Sequence, residues 1–208
     1  MKKGMTITYE VDSGLYINIT NRCTNNCEFC IRHNGDGAYG SNTLWLEREP
    51  TVEEIKADID TRDLSKYSEV VFCGYGEPSY RLKEAREVAL YIKSKRPEMK
   101  VRINTNGHSD LILDCDSAPI YEGAFDTVSI SLNTPSPERY VEICHPIHKA
   151  KAYESMLNFA KNVNNYVQNT MFSVVRETLS EEELAECRRI ADECGVTLKV
   201  RTYIPPEK

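Results

Sequence analysis

Long apolar runs are absent from this sequence, and so is an excess of positive charge. No stretch stays hydrophobic for the roughly 20 residues that a helix needs to cross a bilayer, and the opening "MKKGMTITYEVDSG" is too polar for the core of a secretory leader. The 26 Lys and Arg are outnumbered by 32 Asp and Glu, for a formal charge of −6. That balance supplies no basic field, so neither membrane attachment nor strong nucleic-acid binding is expected. Linkers, low-complexity tracts and internal repeats are missing too, and the 208 residues suit one domain spanning 1–208. A disulfide framework is excluded by context. Such frameworks serve small secreted chains that lack a core, whereas the eight cysteines here sit in a chain that is 40% hydrophobic and has no export signal. A cytoplasmic protein with reduced thiols is the expectation.

What is present is an alternation of strand and helix patterns. "GLYINIT" (14–20), "SEVVFCGYG" (68–76), "KVRINTNG" (100–107), "DTVSISLN" (126–133), "TMFSVV" (170–175) and "TLKVRTYI" (197–204) read as six strands. Between them, "TVEEIKADIDT" places Val52, Ile55 and Ile59 at helical spacing, and "LKEAREVALYIKSK" and "KAYESMLNFAKNV" are amphipathic. "SEEELAECRRIADECG" is a helix bounded by Ser180 as N-cap, Glu183 at the capping-box position and Gly195 as C-cap. This order predicts βαβ units and a parallel sheet in an α/β fold, with too few strands for an eight-stranded barrel.

The C-terminal ends of such strands build ligand sites. Here they run into "TNRCTNNC", "CGYGEP", "NTNG", "LNTPSP" and "RET". Turn chemistry accounts for any one of these ends. It accounts poorly for "GYGEP" together with "CTNNCEFC", which puts Cys23, Cys27 and Cys30 within eight residues.

Thiolates hold zinc or iron–sulfur clusters. Structural zinc wants four protein ligands in paired arrangements, and Cys73, Cys115, Cys144, Cys187 and Cys194 are isolated. A cubane held by three cysteines keeps one iron free of protein ligands, open to chelation by a small molecule. The other conspicuous residues read as structural. Cys187 and Cys194 share a helix face with Leu184, Ile190 and Ala191 and read as core, Cys73 reads as buried in its strand, and His145 and His148 read as loop residues.

CxxxCxxC directly after a first strand, with Phe29 before the last cysteine, and Gly74-Tyr75-Gly76-Glu77-Pro78 after the second strand, together resemble the radical S-adenosylmethionine (SAM) enzymes. The resemblance runs from Gly14 to Pro205. It implies a single-domain partial (β/α)6 barrel without a C-terminal cap, a [4Fe-4S] cluster on Cys23, Cys27 and Cys30, and SAM whose amino and carboxylate groups ligate the open iron. It further implies reductive cleavage of SAM to methionine and a 5′-deoxyadenosyl radical that abstracts hydrogen, with a flavodoxin- or ferredoxin-type electron donor. By the same resemblance, the backbone of Phe29 lies along the adenine. Gly74, Tyr75, Gly76 and Glu77 meet the SAM amino group, and Ser131 and Asn133 hold the ribose hydroxyls. Asn104, Thr105 and Asn106 stand where the methionyl carboxylate or a nearby cation is contacted, and Arg176 reaches toward the same carboxylate. For Asn106 and Arg176, a turn residue and a surface charge are equal alternatives. Tyr75 departs from the family's second glycine.

Two features bear on the substrate. "IRHNGDGAYGSNTLWLEREP" (31–50) is longer than an ordinary connection. It is either a lid that meets substrate with Arg32, His33 and Tyr39, or a loop packed through Leu44, Trp45 and Leu46. The chain also stops at "YIPPEK", directly after the last strand, so an open barrel mouth suited to a protein or peptide is expected. "CIRHNGDGAYGSNTLWL" and "FCGYGEP" are similar to the small radical SAM group associated with TatD-type nucleases. A carboxydeazaguanine-synthase-like enzyme is an alternative, against which Ile31-Arg32 counts. A cluster- or SAM-sensing protein without turnover is another.

Overall fold

The computed structural model describes residues 2–202. Tyr203 and Ile204 of the expected last strand, Pro205, and the "YIPPEK" end on which an uncapped mouth was expected all lie outside the described residues. Seven strands form one sheet in sequential order: β1 (Thr8–Val11), β2 (Gly14–Ile17), β3 (Glu69–Phe72), β4 (Lys100–Thr105), β5 (Thr127–Ser131), β6 (Asn169–Val175) and β7 (Thr197–Arg201). From β2 to β7 every pairing is parallel. β1, which the sequence reading missed, pairs antiparallel with β2 through the tight turn at Asp12 and Ser13. A mostly parallel sheet in sequential strand order, whose edge strands β1 and β7 do not pair with each other among the described residues, is the partial barrel expected.

Six helices connect the strands: α1 (Val52–Asp60), α2 (Leu82–Lys95), α3 (Ser109–Leu113), α4 (Pro137–Cys144), α5 (Lys151–Val163) and α6 (Glu181–Cys194). α6 begins as its sequence predicts. The Ser180 hydroxyl accepts from Glu183 N at 3.2 Å, Ser180 N donates to the Glu183 carboxylate at 2.8 Å, and Gly195 closes the helix at φ +71°. Thr51 and Glu54 make the same reciprocal box at α1.

Alternation along the strands decides what faces where. Leu15, Ile17, Val70, Phe72, Val101, Ile103, Val128, Ile130, Phe172 and Val174 are buried in the main core with the apolar faces of the helices. Cys187 and Cys194 are buried on α6 in that core, as expected. Intervening residues point inward: β4 puts Arg102 and Asn104 on the cavity wall, and β5 puts Ser129 and Ser131 there. The barrel interior is therefore mixed, these polar side chains sharing it with Tyr9, Tyr16, Ala38, Leu44 and Val175, while its outer face is hydrophobic.

Candidate active site

The three thiols lie in a loop that follows β2 and is held from behind. Asn26 N donates to Cys144 O at 2.9 Å and Glu28 N to Ile143 O at 3.0 Å, so the C-terminal carbonyls of α4 receive the loop's amides. Thr24 and Asn25 are buried beneath it. Asn106 Nδ2 donates to Thr24 Oγ1 at 2.7 Å, Thr24 Oγ1 bonds His108 Nδ1 at 2.9 Å, His108 Nε2 bonds Tyr140 OH at 3.2 Å, and Asn25 Nδ2 donates to that hydroxyl at 2.9 Å. Arg32 donates to Asn25 O and Asn26 Oδ1 from the front, at 3.2 and 2.6 Å. A loop tied down at this many points presents its sulfurs in one fixed arrangement.

Cys23, Cys27 and Cys30 are half-buried and line a central cavity of about 360 Å³. Burial pushes the Cys23 thiol up to about 12 and raises Cys30 as well. The Cys144 thiol beside Cys27, followed by burial, holds Cys27 in its protonated form. Metal loading must then release protons from these sulfurs. Among the described residues no three His, Cys, Asp or Glu side chains converge on one ion. A cubane asks each thiolate for a different iron, so three thiols spread along one cavity wall fit it better than they fit zinc.

The second motif forms the adjoining wall. A Cβ on Gly76 would lie 2.3 Å from Thr20 O and 2.7 Å from Arg22 O, so this backbone approaches the cluster loop more closely than any side chain permits. A Cβ on Gly74 would meet Asn18 Oδ1 at 2.1 Å. Tyr75 is buried, and its hydroxyl donates to Gly37 O at 2.7 Å, with Gly35 O also within reach at 3.0 Å. Tyr75 thereby pins segment 31–50 at Gly35 and Gly37.

Glu77 is only 3% exposed. Its carboxylate accepts from Ser79 N at 3.0 Å, Thr105 Oγ1 at 2.7 Å, Asn106 N at 2.6 Å and the Ser79 hydroxyl. Burial pushes its pKa up, against the pull of these donors. Glu77 thus welds "GYGEP" to the end of β4.

The cavity gathers most of the expected residues: Phe29, Gly74, Tyr75, Gly76, Glu77, Asn104, Thr105, Asn106, Ser131 and Asn133 all line it. Arg176 does not. The chain turns outward after Val175, and the Arg176 guanidinium donates to Leu179 O at 2.9 Å and pairs with Glu181 at the start of α6. The surface-charge alternative holds for it. Cys73 is half-buried and lines the cavity instead of lying inside its strand. His145 and Asn133, at φ +44° and +65°, occupy the left-handed region at chain turns. The sequence reading missed Thr24, His108, Tyr140 and Cys144 behind the cluster loop, and Arg102, Lys199 and Arg201 on the cavity wall. The last two had a signal: "TLKVR" alternates, so Lys199 and Arg201 take the face opposite Leu198 and Val200.

The long segment 31–50 packs. Leu44 and Leu46 are each 1% exposed, and Asn18 and Asn21 side-chain amides donate to their carbonyls at 2.8 Å. Trp45 meets the Tyr75 ring edge-on. Tyr39, at φ +56°, remains exposed where it lines the cavity.

The sequence matches the family model of the radical SAM superfamily over residues 17–190. The chain belongs to the radical SAM superfamily. A [4Fe-4S] cluster and SAM are accordingly its cofactors, and it is an enzyme of that class. Two curated relatives are described as probable GTP 3′,8-cyclases. That of Methanocaldococcus jannaschii is 26% identical over 192 residues, which cover 92% of this chain and 59% of the relative. That of Methanosarcina acetivorans is 32% identical over 133 residues, covering 63% and 36%. The radical SAM chain thus spans well under two thirds of either relative. Among solved structures, Streptococcus suis SuiB bound to precursor peptide SuiA aligns at a TM-score of 0.63 and 17% identity, covering 92% of this chain and 39% of that one. The FeFe-hydrogenase maturase HydG of Carboxydothermus hydrogenoformans aligns at 0.63 and 17%, covering 93% and 44%. At such identities the likeness is one of fold.

Proposed function

We propose that this protein is a cytoplasmic radical SAM enzyme that cleaves SAM reductively and takes a hydrogen atom from a substrate held in the barrel cavity. When bound, the reduced cluster and SAM supply methionine and a 5′-deoxyadenosyl radical, the hydrogen-abstracting species. The observation that carries the reading is the meeting of three half-buried thiols and the "GYGEP" wall on one cavity. Cys23, Cys27 and Cys30 hold the cluster. Phe29 and the backbone at Gly74–Gly76 form the side against which SAM lies, with Ser131 and Asn133 as hydroxyl partners and Asn104 and Asn106 as carboxylate partners. Glu77 and Thr105 hold that wall in place. Buried Ala38, Leu44 and Tyr75 exclude water from the adjoining side. A flavodoxin- or ferredoxin-type protein supplies the electron. Among the described residues no helix is long and apolar enough to cross a membrane, in keeping with this reading.

The resemblance to the TatD-associated group is the finer part of the same proposal, and a protein or peptide is its substrate class. The packing of segment 31–50 removes one support for so large a substrate. That observation favours a second reading, a small-molecule enzyme in the manner of a carboxydeazaguanine synthase or of the cyclases named among the relatives, whose substrate is GTP. The test of the shared core is anaerobic incubation of the reconstituted protein with dithionite and SAM. Slow release of 5′-deoxyadenosine without added substrate is expected. A fully loaded protein that forms none would leave the non-catalytic sensor as the better account.

A further inference from the structure

Strand register sorts the inner wall of the barrel into rows. Ser131 of β5 is the partner of Ser173 of β6, and Ser173 is the partner of Lys199 of β7. One step nearer the mouth, Val175 is the partner of Arg201. Partners in a parallel sheet share a face, and residues two apart on one strand do so as well. Ser131, Ser173 and Lys199 therefore make one polar row, and Arg201 stands beside Lys199 on the mouth side. All four line the cavity.

The charges on this wall are uneven. Among the described residues the cavity is lined by three cations, Arg102, Lys199 and Arg201, and by the single carboxylate of Glu77. Glu77 is saturated by its four donors. Arg102 is also committed: it donates to both oxygens of Glu69 at 3.0 and 2.6 Å and to Asn104 Oδ1 at 2.9 Å. Lys199 and Arg201 differ, since among the described residues neither side chain has a hydrogen-bond or ion-pair partner. In a chain of formal charge −6, two free cations side by side on a cavity wall run against the composition. Both side chains are exposed at the rim of the cavity, and a fork of guanidinium plus ammonium next to a serine hydroxyl suits an oxyanion. Tyr16 of β2 and Tyr39 of segment 31–50 line the same cavity.

We propose that Lys199 and Arg201, with the Ser173 hydroxyl, bind a carboxylate or phosphate of the substrate, and that the substrate is a small organic anion whose body lies toward Tyr16 and Tyr39. The proposal rests on the reading of the cavity as a substrate site, and it takes the small-molecule reading in place of a protein or peptide. It also assigns β7, five strands from the cluster loop, the task of orienting the substrate from its far end.

Calorimetric titration of the cluster-loaded, SAM-bound protein tests this, with tripolyphosphate as the phosphate probe and tricarballylate as the carboxylate probe. Binding of at least one probe is expected, and the preferred probe identifies the oxyanion. Lys199→Met and Arg201→Leu should each weaken it about tenfold, while Lys199→Arg, which keeps the charge, should bind as the parent does. No binding of either probe would overturn the proposal, as would variants that bind like the parent. An equal loss of SAM affinity in the variants would also overturn it, by assigning the cations to SAM. The titration reads the anion site whether or not 5′-deoxyadenosine forms, so failure of the site and failure of SAM cleavage are separate results.

Discussion

His108 shows how much of the site is made by side chains that carry no motif. Its ring is fully buried, and both nitrogens are committed, one to Thr24 next to Cys23 and one to Tyr140 on α4. Burial, and then the neighbouring His148, push its pKa down to about 4. The unfolded chain takes up this proton near pH 6.5, before the folded chain does. Stability is therefore full above about pH 6.5 and falls as the pH drops toward 4, by up to about 3 kcal/mol. Denaturant melts of the wild type and of His108→Gln across this range should show that limb flattened in the variant. An unchanged slope would place the titration elsewhere. The cysteines make a sharper prediction. Cys23→Ala, Cys27→Ala and Cys30→Ala should each lose the cluster on anaerobic reconstitution, and Cys187→Ala, buried on α6, should keep it. Iron and sulfide analysis decides this, and a full load retained in the Cys27 variant would break the assignment. The meeting of these three thiols on one cavity was legible because they sit within eight residues of one loop. Two of the four donors to Glu77 were not, because Thr105 Oγ1 and Asn106 N come from the end of β4, nearly thirty residues away. Arg176 misled because its place after a strand pointed to the cavity while a following turn carried it outward.

At the scale of elements, α1, α2, α5, α6 and the parallel strands were legible from periodicity and caps, down to the box at Ser180 and Glu183, whereas the five-residue α3 was too short to show a period. Nor was β1 legible. Its "TYEV" is too short to signal a strand, and it exists because hairpin pairing with β2 satisfies an edge that would otherwise be open. α4 was hidden inside a Pro-containing stretch, yet its last carbonyls position the cluster loop. Segment 31–50 was ambiguous because glycines and polar residues suit a lid and a packed loop alike. What settles it is a set of distant anchors, the Asn18, Asn21 and Tyr75 side chains, that a local pattern cannot reveal. Leu44 N donates to Asp36 O at 2.7 Å, and Leu46 N to Asn21 Oδ1 at 3.0 Å. Hydrogen exchange should accordingly find these two amides protected before SAM is added, with faster exchange confined to the tip at Tyr39 to Ser41. Uniformly fast exchange from 31 to 50 that slows only with a substrate would restore the lid.

At the scale of the molecule, one rule organises the fold: the parallel strands give most of their apolar residues to the helices and bring their C-terminal ends and many of their polar side chains to the cavity. The rule brings the thiols after β2, the "GYGEP" turn after β3, the Asn-Thr-Asn end of β4 and the cations of β7 to a single space. The central claim is that three thiols hold a [4Fe-4S] cluster with one iron left for SAM. Electron paramagnetic resonance of the dithionite-reduced, reconstituted protein tests it most directly, recorded with and without SAM. The account predicts a reduced-cluster signal whose shape changes when SAM is added. A fully loaded cluster whose signal is indifferent to saturating SAM would contradict it.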